Sequence, residues 1–127
     1  MALVVLDASV FIAFRTRDDA HHQAARAALA GLGSDALVLP ASAYAEVLVE
    51  PSLGGEEQVA RARRLVDELP IRIEPVTRAI AERAAALRRH GRLPDALVLA
   101  TGDELEADAV LTADRRWKRL SDRVRVI

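Results

Sequence analysis

Short apolar runs alternate along this chain with longer stretches in which apolar positions recur at helical spacing. "ALVVL" at 2–6 carries no polar residue, as expected of a strand buried on both faces. Residues 9–14 read as a short helix that Asp7 or Ser9 can cap, and 18–30 as a helix ended by Gly31 and Gly33. "ALVL" at 36–39 is a short strand, after which Pro40 opens a helix that Pro51 is expected to stop. Residues 56–69 form an amphipathic helix with Val59, Leu65, Val66 and Leu69 close to one face. "IRIEPV" at 71–76 alternates like a strand, and 77–90 is helical up to Gly91. Pro94 stands in the first turn of a helix running to about Ala107. "DAVLTAD" at 108–114 is a strand ending on an acid, and "RVRVI" at 123–127 is a final edge strand.

Strands alternating with helices predict an α/β fold, a three-layer α/β/α sandwich around a central, mostly parallel sheet. No composition break or repeat divides the chain, so residues 1–127 are read as one domain. The chain is 51% hydrophobic but only 3% aromatic, so the core must be built from Ala, Val, Leu and Ile. A net charge of −1 provides no global field for nucleic acid, and any phosphate contact needs a local basic patch. The absence of cysteine excludes disulfides and thiolate metal sites. No basic leader precedes the first strand and no apolar run spans a bilayer, so a cytoplasmic protein without membrane attachment is expected.

In folds of this kind ligands bind beyond the carboxyl ends of the strands. Asp7 and Asp114 each close a predicted strand there. Asp95 lies in the first turn of its helix, where the dipole favours the ionised form. Glu46 sits among Ala43, Ala45, Val47 and Leu48, a pattern that predicts a mostly buried helix on which an unpaired carboxylate is costly. Singly, each has an ordinary explanation: a helix cap for Asp7, a first-turn charge for Asp95, a turn residue for Asp114. Glu50 reads as a solvated helix end, and the run Asp103, Glu104, Glu106 and Asp108 as a solvated face. Together, four converging carboxylates would repel one another unless a divalent cation joined them. Oxygen donors without cysteine or a useful histidine pattern select Mg²⁺ or Mn²⁺, and such ions favour phosphoryl chemistry.

With those residues in place the chain resembles the PIN-domain ribonucleases, and among them the VapC-type toxins of bacterial toxin–antitoxin pairs. The resemblance runs over essentially the whole chain through "LDASVFIA", "AEV" around Glu46, "LPDALVLAT" around Asp95 and "LTADRRW". It implies that Asp7, Glu46, Asp95 and Asp114 are the catalytic, metal-binding acids, with Thr112 and Ser9 supporting them by hydrogen bonds. It implies metal-dependent endonucleolytic cleavage of RNA to 5′-phosphate and 3′-hydroxyl ends. It also implies a homodimer held inactive by a VapB-type antitoxin whose C-terminal segment lies in a groove near the site. The helical segments at 9–30 and 41–69 expose apolar residues that suit such contacts.

For the RNA, the best basic cluster is "RRWKR" at 115–119, so Arg115, Arg116 and Lys118 are candidate contacts, with Arg15 beside Arg17 and with Arg88, Arg89 and Arg92 near Asp95. Of the 18 basic residues all but Lys118 are arginine, so an arginine-rich surface alone is an equally good account of them. Trp117 is expected to pack under the last strand rather than stack a base. His21 and His22 are read as surface residues, and His90 as a charge or cap at a helix end. Two other functions are open: a non-catalytic PIN-fold module for RNA binding or assembly, and a phospho-accepting receiver. The receiver lacks a lysine at a late strand end, and a haloacid-type phosphatase lacks the second aspartate after "DAS".

Overall fold

A computed structural model of the chain describes residues 1–127 except for the side chain of His90, so the cap or charge expected there lies outside the described residues. Five strands form one sheet: β1 (Leu3–Leu6), β2 (Ala36–Pro40), β3 (Ile71–Glu74), β4 (Ala109–Thr112) and β5 (Val124–Val126). Six helices connect them: α1 (Ala8–Arg15), α2 (His22–Gly31), α3 (Ala41–Gly54), α4 (Glu56–Glu68), α5 (Arg78–Leu87) and α6 (Leu93–Glu104). Short 3₁₀ turns cover Arg88–His90 and Arg115–Arg119. Local chemistry sets several of these bounds. The Thr77 hydroxyl accepts the Ile80 N–H and caps α5, and Gly55, at φ +104°, makes the sharp junction between α3 and α4.

Every pairing in the sheet is parallel, in the order β3-β2-β1-β4-β5. The three-layer α/β/α fold expected from the alternation is therefore present, with β1 at its centre and β5 at one edge. From β1 the chain moves to β2 and β3 on one side, then crosses to β4 and β5 on the other. The order reverses between β1 and β4, and the crevice beyond their carboxyl ends is where such sheets bind ligands. β1 delivers Asp7 to that crevice and β4 delivers Thr112 and Asp114.

The core is aliphatic around Val4, Val5, Leu6, Val38, Leu39 and Val110, with Phe11 the largest fully buried side chain. Trp117 is buried too, at 2% exposure, which suits packing rather than base stacking. Against this core α6 lies unusually close to the sheet, since a Cβ on Gly102 would meet Val110 Cγ2 at 2.6 Å. Val110 is β-branched and buried, so it has little room to yield. Gly102→Ala is expected to destabilise by about 1–3 kcal/mol despite the better helix propensity of alanine. Denaturant titration checks this, and adding Val110→Ala should give a double mutant more stable than the sum of the single changes.

Four expectations are corrected. Pro51 does not stop its helix, because α3 continues to Gly54. A proline inside a helix leaves the carbonyl four residues back without its N–H. Here that carbonyl belongs to Val47, and the Arg15 guanidinium donates to it at 2.7 Å. Arg15→Ala should therefore cost about 1–2 kcal/mol in thermal or chemical unfolding, and less in a Pro51→Ala background where the N–H is restored. The acidic run is not merely a solvated face: Asp103 pairs with Arg83 at 3.0 Å and Arg123 at 3.3 Å, and the Asp108 carboxylate accepts the Leu3 N–H at 2.7 Å. His22 is half-buried, its Nδ1 2.8 Å from the Ala13 carbonyl, which ties α2 to α1, whereas His21 is exposed. Glu46 is exposed rather than mostly buried, since only Ala43 and Val47 of that helix are buried.

Candidate active site

Asp7 follows β1 directly, with its backbone N–H on the Leu111 carbonyl of β4 at 2.9 Å. Its side chain makes no cap on α1. It is 8% exposed and its Oδ2 accepts from Ser9 Oγ at 2.7 Å and from Thr112 Oγ1 at 2.9 Å. The polarity of both hydroxyls is fixed by the neighbouring backbone. Ser9 Oγ itself accepts the Ala113 N–H at 3.0 Å, and Thr112 Oγ1 accepts the Asp114 N–H at 3.1 Å. Each hydroxyl therefore has its proton free for Asp7. The same four bonds join the exit of β1 to the exit of β4, so Ser9 and Thr112 position two acids at once. The part of Ala113 and of the Asp114 amide has no sequence signal, because a backbone donor carries no residue type.

Burial pushes the Asp7 carboxyl above its ordinary range, with the Asp95 charge adding to the rise, while Ser9 and Thr112 oppose it. Asp95, in the first turn of α6, is also raised, first by burial and then by Asp114, with Arg92, Arg116 and Trp117 opposing. The first-turn dipole does not win there, contrary to the expectation from sequence. Glu46 is exposed overall, yet its carboxyl is raised by partial loss of hydration and then by Asp7 and Asp95. Asp114 runs the other way. Its carboxylate caps the Arg116 N–H at 2.9 Å and is gripped by the Arg116 guanidinium at 2.7–3.2 Å, which holds it below the usual range. The turn reading of Asp114 is thus correct as far as it goes, but Asp114 also repels Asp95.

The structure brings Asp7, Glu46, Asp95 and Asp114 into one electrostatic neighbourhood. Among the described residues, however, no three acids or histidines already converge on a single point that could hold a metal ion. The donor chemistry still fits a hard hydrated cation. All donors are oxygens, three carboxyls are raised by burial and by the charge of other acids of the set, and Mg²⁺ is commonly held by one or two carboxylates plus waters and phosphate rather than by a closed cage. Arg115, Arg116 and Lys118 are exposed on the turn after Asp114, although Arg116 is occupied by that acid. Arg15 is elsewhere: it lines a groove between α1, α3 and α4 of about 900 Å³ that contains none of the four acids.

Without a cation the raised carboxyls oppose folding. Asp7 has a folded pKa above its unfolded one, so its favourable contribution is complete at low pH and is lost as pH rises through the folded value. Asp7→Asn should keep both hydroxyl contacts and stabilise the metal-free chain at neutral pH by about 1 kcal/mol, or a few degrees in Tm. Thermal melts in chelator from pH 4 to 8 check this, and the advantage should shrink as pH falls toward 4.

A five-stranded parallel sheet with acids gathered at its switch point defines the class, and sequence agrees: the PIN domain profile matches residues 4–123, and the chain belongs to that family. Among solved structures it is similar to a toxin–antitoxin complex from Klebsiella pneumoniae, with 24% identity, 90% of this chain and 89% of that one covered, and a TM-score of 0.73. It is similar to VapC20 of Mycobacterium tuberculosis, a toxin that cleaves the sarcin–ricin loop, with 20% identity, 84% and 86% coverage, and a TM-score of 0.69. It is also similar to FitAcB from Neisseria gonorrhoeae, with 18% identity, 98% and 96% coverage, and a TM-score of 0.77. No curated protein matches the sequence. No helix among the described residues is long and apolar enough to cross a membrane.

Proposed function

We propose that the chain is a Mg²⁺- or Mn²⁺-dependent endoribonuclease acting as the toxin of a VapBC-type pair. The observation that carries this reading is Asp7: a buried carboxylate at the switch point that makes no helix cap, is held by two polarised hydroxyls, and lies within electrostatic reach of Asp95 and Glu46. Membership of the PIN family and the toxins among the structural neighbours support it. Asp7 and Asp95 would hold the cation, and Asp114 would join them on release from Arg116. Once bound, the cation polarises a phosphoryl oxygen and lowers the pKa of water. Glu46, the most accessible of the four acids, would bind the cation or orient the attacking water. Arg115 and Lys118 would position the RNA backbone without reading its sequence. Water oxygen bonds to phosphorus, the P–O3′ bond breaks, and the proton ends on the 3′ oxygen, leaving 5′-phosphate and 3′-hydroxyl ends.

An antitoxin segment would seat in the groove between α1, α3 and α4, where Leu53 is 87% exposed beside Arg17, Arg61 and Arg64. A homodimer is proposed with it on the strength of the family. Induced expression in a bacterium tests the toxin reading. Growth arrest by the wild-type chain but not by Asp95→Asn is expected, and unimpeded growth with soluble wild-type protein present would overturn it.

A further inference from the structure

Among the described residues, one buried side-chain polar atom has no hydrogen-bond partner: the Oγ of Ser42. A buried hydroxyl without a partner costs free energy, and alanine in its place would avoid that cost and favour the helix. Stability therefore does not account for a serine here. Ser42 is the second residue of α3, which starts directly from the end of β2. A serine inside a helix can return its proton to the carbonyl four residues back. For Ser42 that residue is Val38, which lies in β2, so no helical acceptor stands behind the hydroxyl. Because the sheet is parallel, the start of α3 lies at the same end of it as Asp7. An orphaned donor at that end calls for an acceptor.

Glu46 stands four residues further on, on the same face of α3. Side chains on a helix lean toward its N-terminus, so each covers the turn before its own, and for Glu46 that turn holds Ser42. Glu46 is also the complementary orphan. Asp7 is held by two hydroxyls and Asp114 by a guanidinium, whereas no described residue donates a hydrogen bond to Glu46. Resting on the ribonuclease reading above, we propose that Ser42 is a positioning residue of that reaction: its hydroxyl donates to the Glu46 carboxylate and fixes the direction in which Glu46 receives the attacking water. Ser42 touches neither RNA nor cation in this role. One carboxylate oxygen takes the serine proton, which leaves the other to accept from water. The unpaired hydroxyl of the resting chain is thus a contact reserved for the working site.

Ser42→Ala and Ser42→Thr test this in the full chain. The readouts are kcat and KM for RNA cleavage, Mn²⁺ affinity, and the melting temperature of the metal-free protein. Ser42→Ala should lower kcat by ~10-fold or more, the range seen when a group that orients a site residue is removed, with KM and Mn²⁺ affinity within about twofold of wild type. Its melting temperature should equal or exceed that of the wild type, since an unpaired hydroxyl has gone. Ser42→Thr keeps the hydroxyl and should recover kcat to within about threefold. In a Glu46→Ala background, adding Ser42→Ala should change the residual single-turnover rate by less than about threefold, because the residue it acts through is absent. An unchanged kcat in Ser42→Ala overturns the proposal. So does a loss of kcat that comes with a lowered melting temperature, which marks a structural serine, or one that persists in full without Glu46. No metal-dependent cleavage by the wild type instead overturns the ribonuclease reading, which keeps the two failures distinct.

Discussion

Asparagine in place of Asp95 is expected to lower metal-dependent RNA cleavage by ~10³-fold, because a lost cation contact removes several kcal/mol of charge stabilisation and ~1.4 kcal/mol is a factor of ten. The substitution keeps the shape of the side chain and the first turn of α6. It removes a charge that repels Asp7 and Glu46, so the variant should fold at least as well as the wild type. Mn²⁺ affinity should fall in parallel with activity. Those readouts separate a lost ligand from a lost fold: an inactive variant with full Mn²⁺ affinity would place Asp95 outside the metal set.

Thr112→Val carries the second large effect. Thr112 is fully buried, and valine replaces the hydroxyl at nearly equal volume. Asp7 Oδ2 then loses one of its two donors and the Asp114 N–H loses its acceptor. Buried groups left without partners cost about 1–3 kcal/mol, so a clear drop in unfolding free energy is expected. Activity should fall about 10–100-fold, the usual range when a group that orients a metal ligand is removed. Thr112→Ser, which keeps the hydroxyl, should restore most of the activity, whereas a merely space-filling Thr112 would favour valine over serine.

Much of the fold was legible because its signals are local. Unbroken apolar runs marked the inner strands, Pro94 marked the start of α6, and the acids closing two strands marked the crevice. The strand order was not legible, since the place of β1 between β2 and β4 depends on packing between segments distant in sequence. Pro51 was misread for the same reason: its helix continues because a guanidinium from α1 takes the freed carbonyl. That contact also ties Arg15, a candidate RNA contact in the sequence, to α3. Nor did spacing reveal that Arg116 grips Asp114, or that Glu46 lies on an exposed part of α3. The ionisation of Asp95 was misjudged because burial and the Asp114 charge outweigh a helix dipole that acts only over the first turn.

The most direct measurement is the mapping of new 5′ ends in total bacterial RNA after incubation with the purified chain, in Mg²⁺ or Mn²⁺ and in chelator, with Asp95→Asn alongside. Discrete 5′-phosphate ends that require the metal and disappear in the variant are the predicted result. The same RNA remaining intact with antitoxin-free protein that binds Mn²⁺ would contradict it, and the chain would then be a PIN-fold scaffold rather than a nuclease.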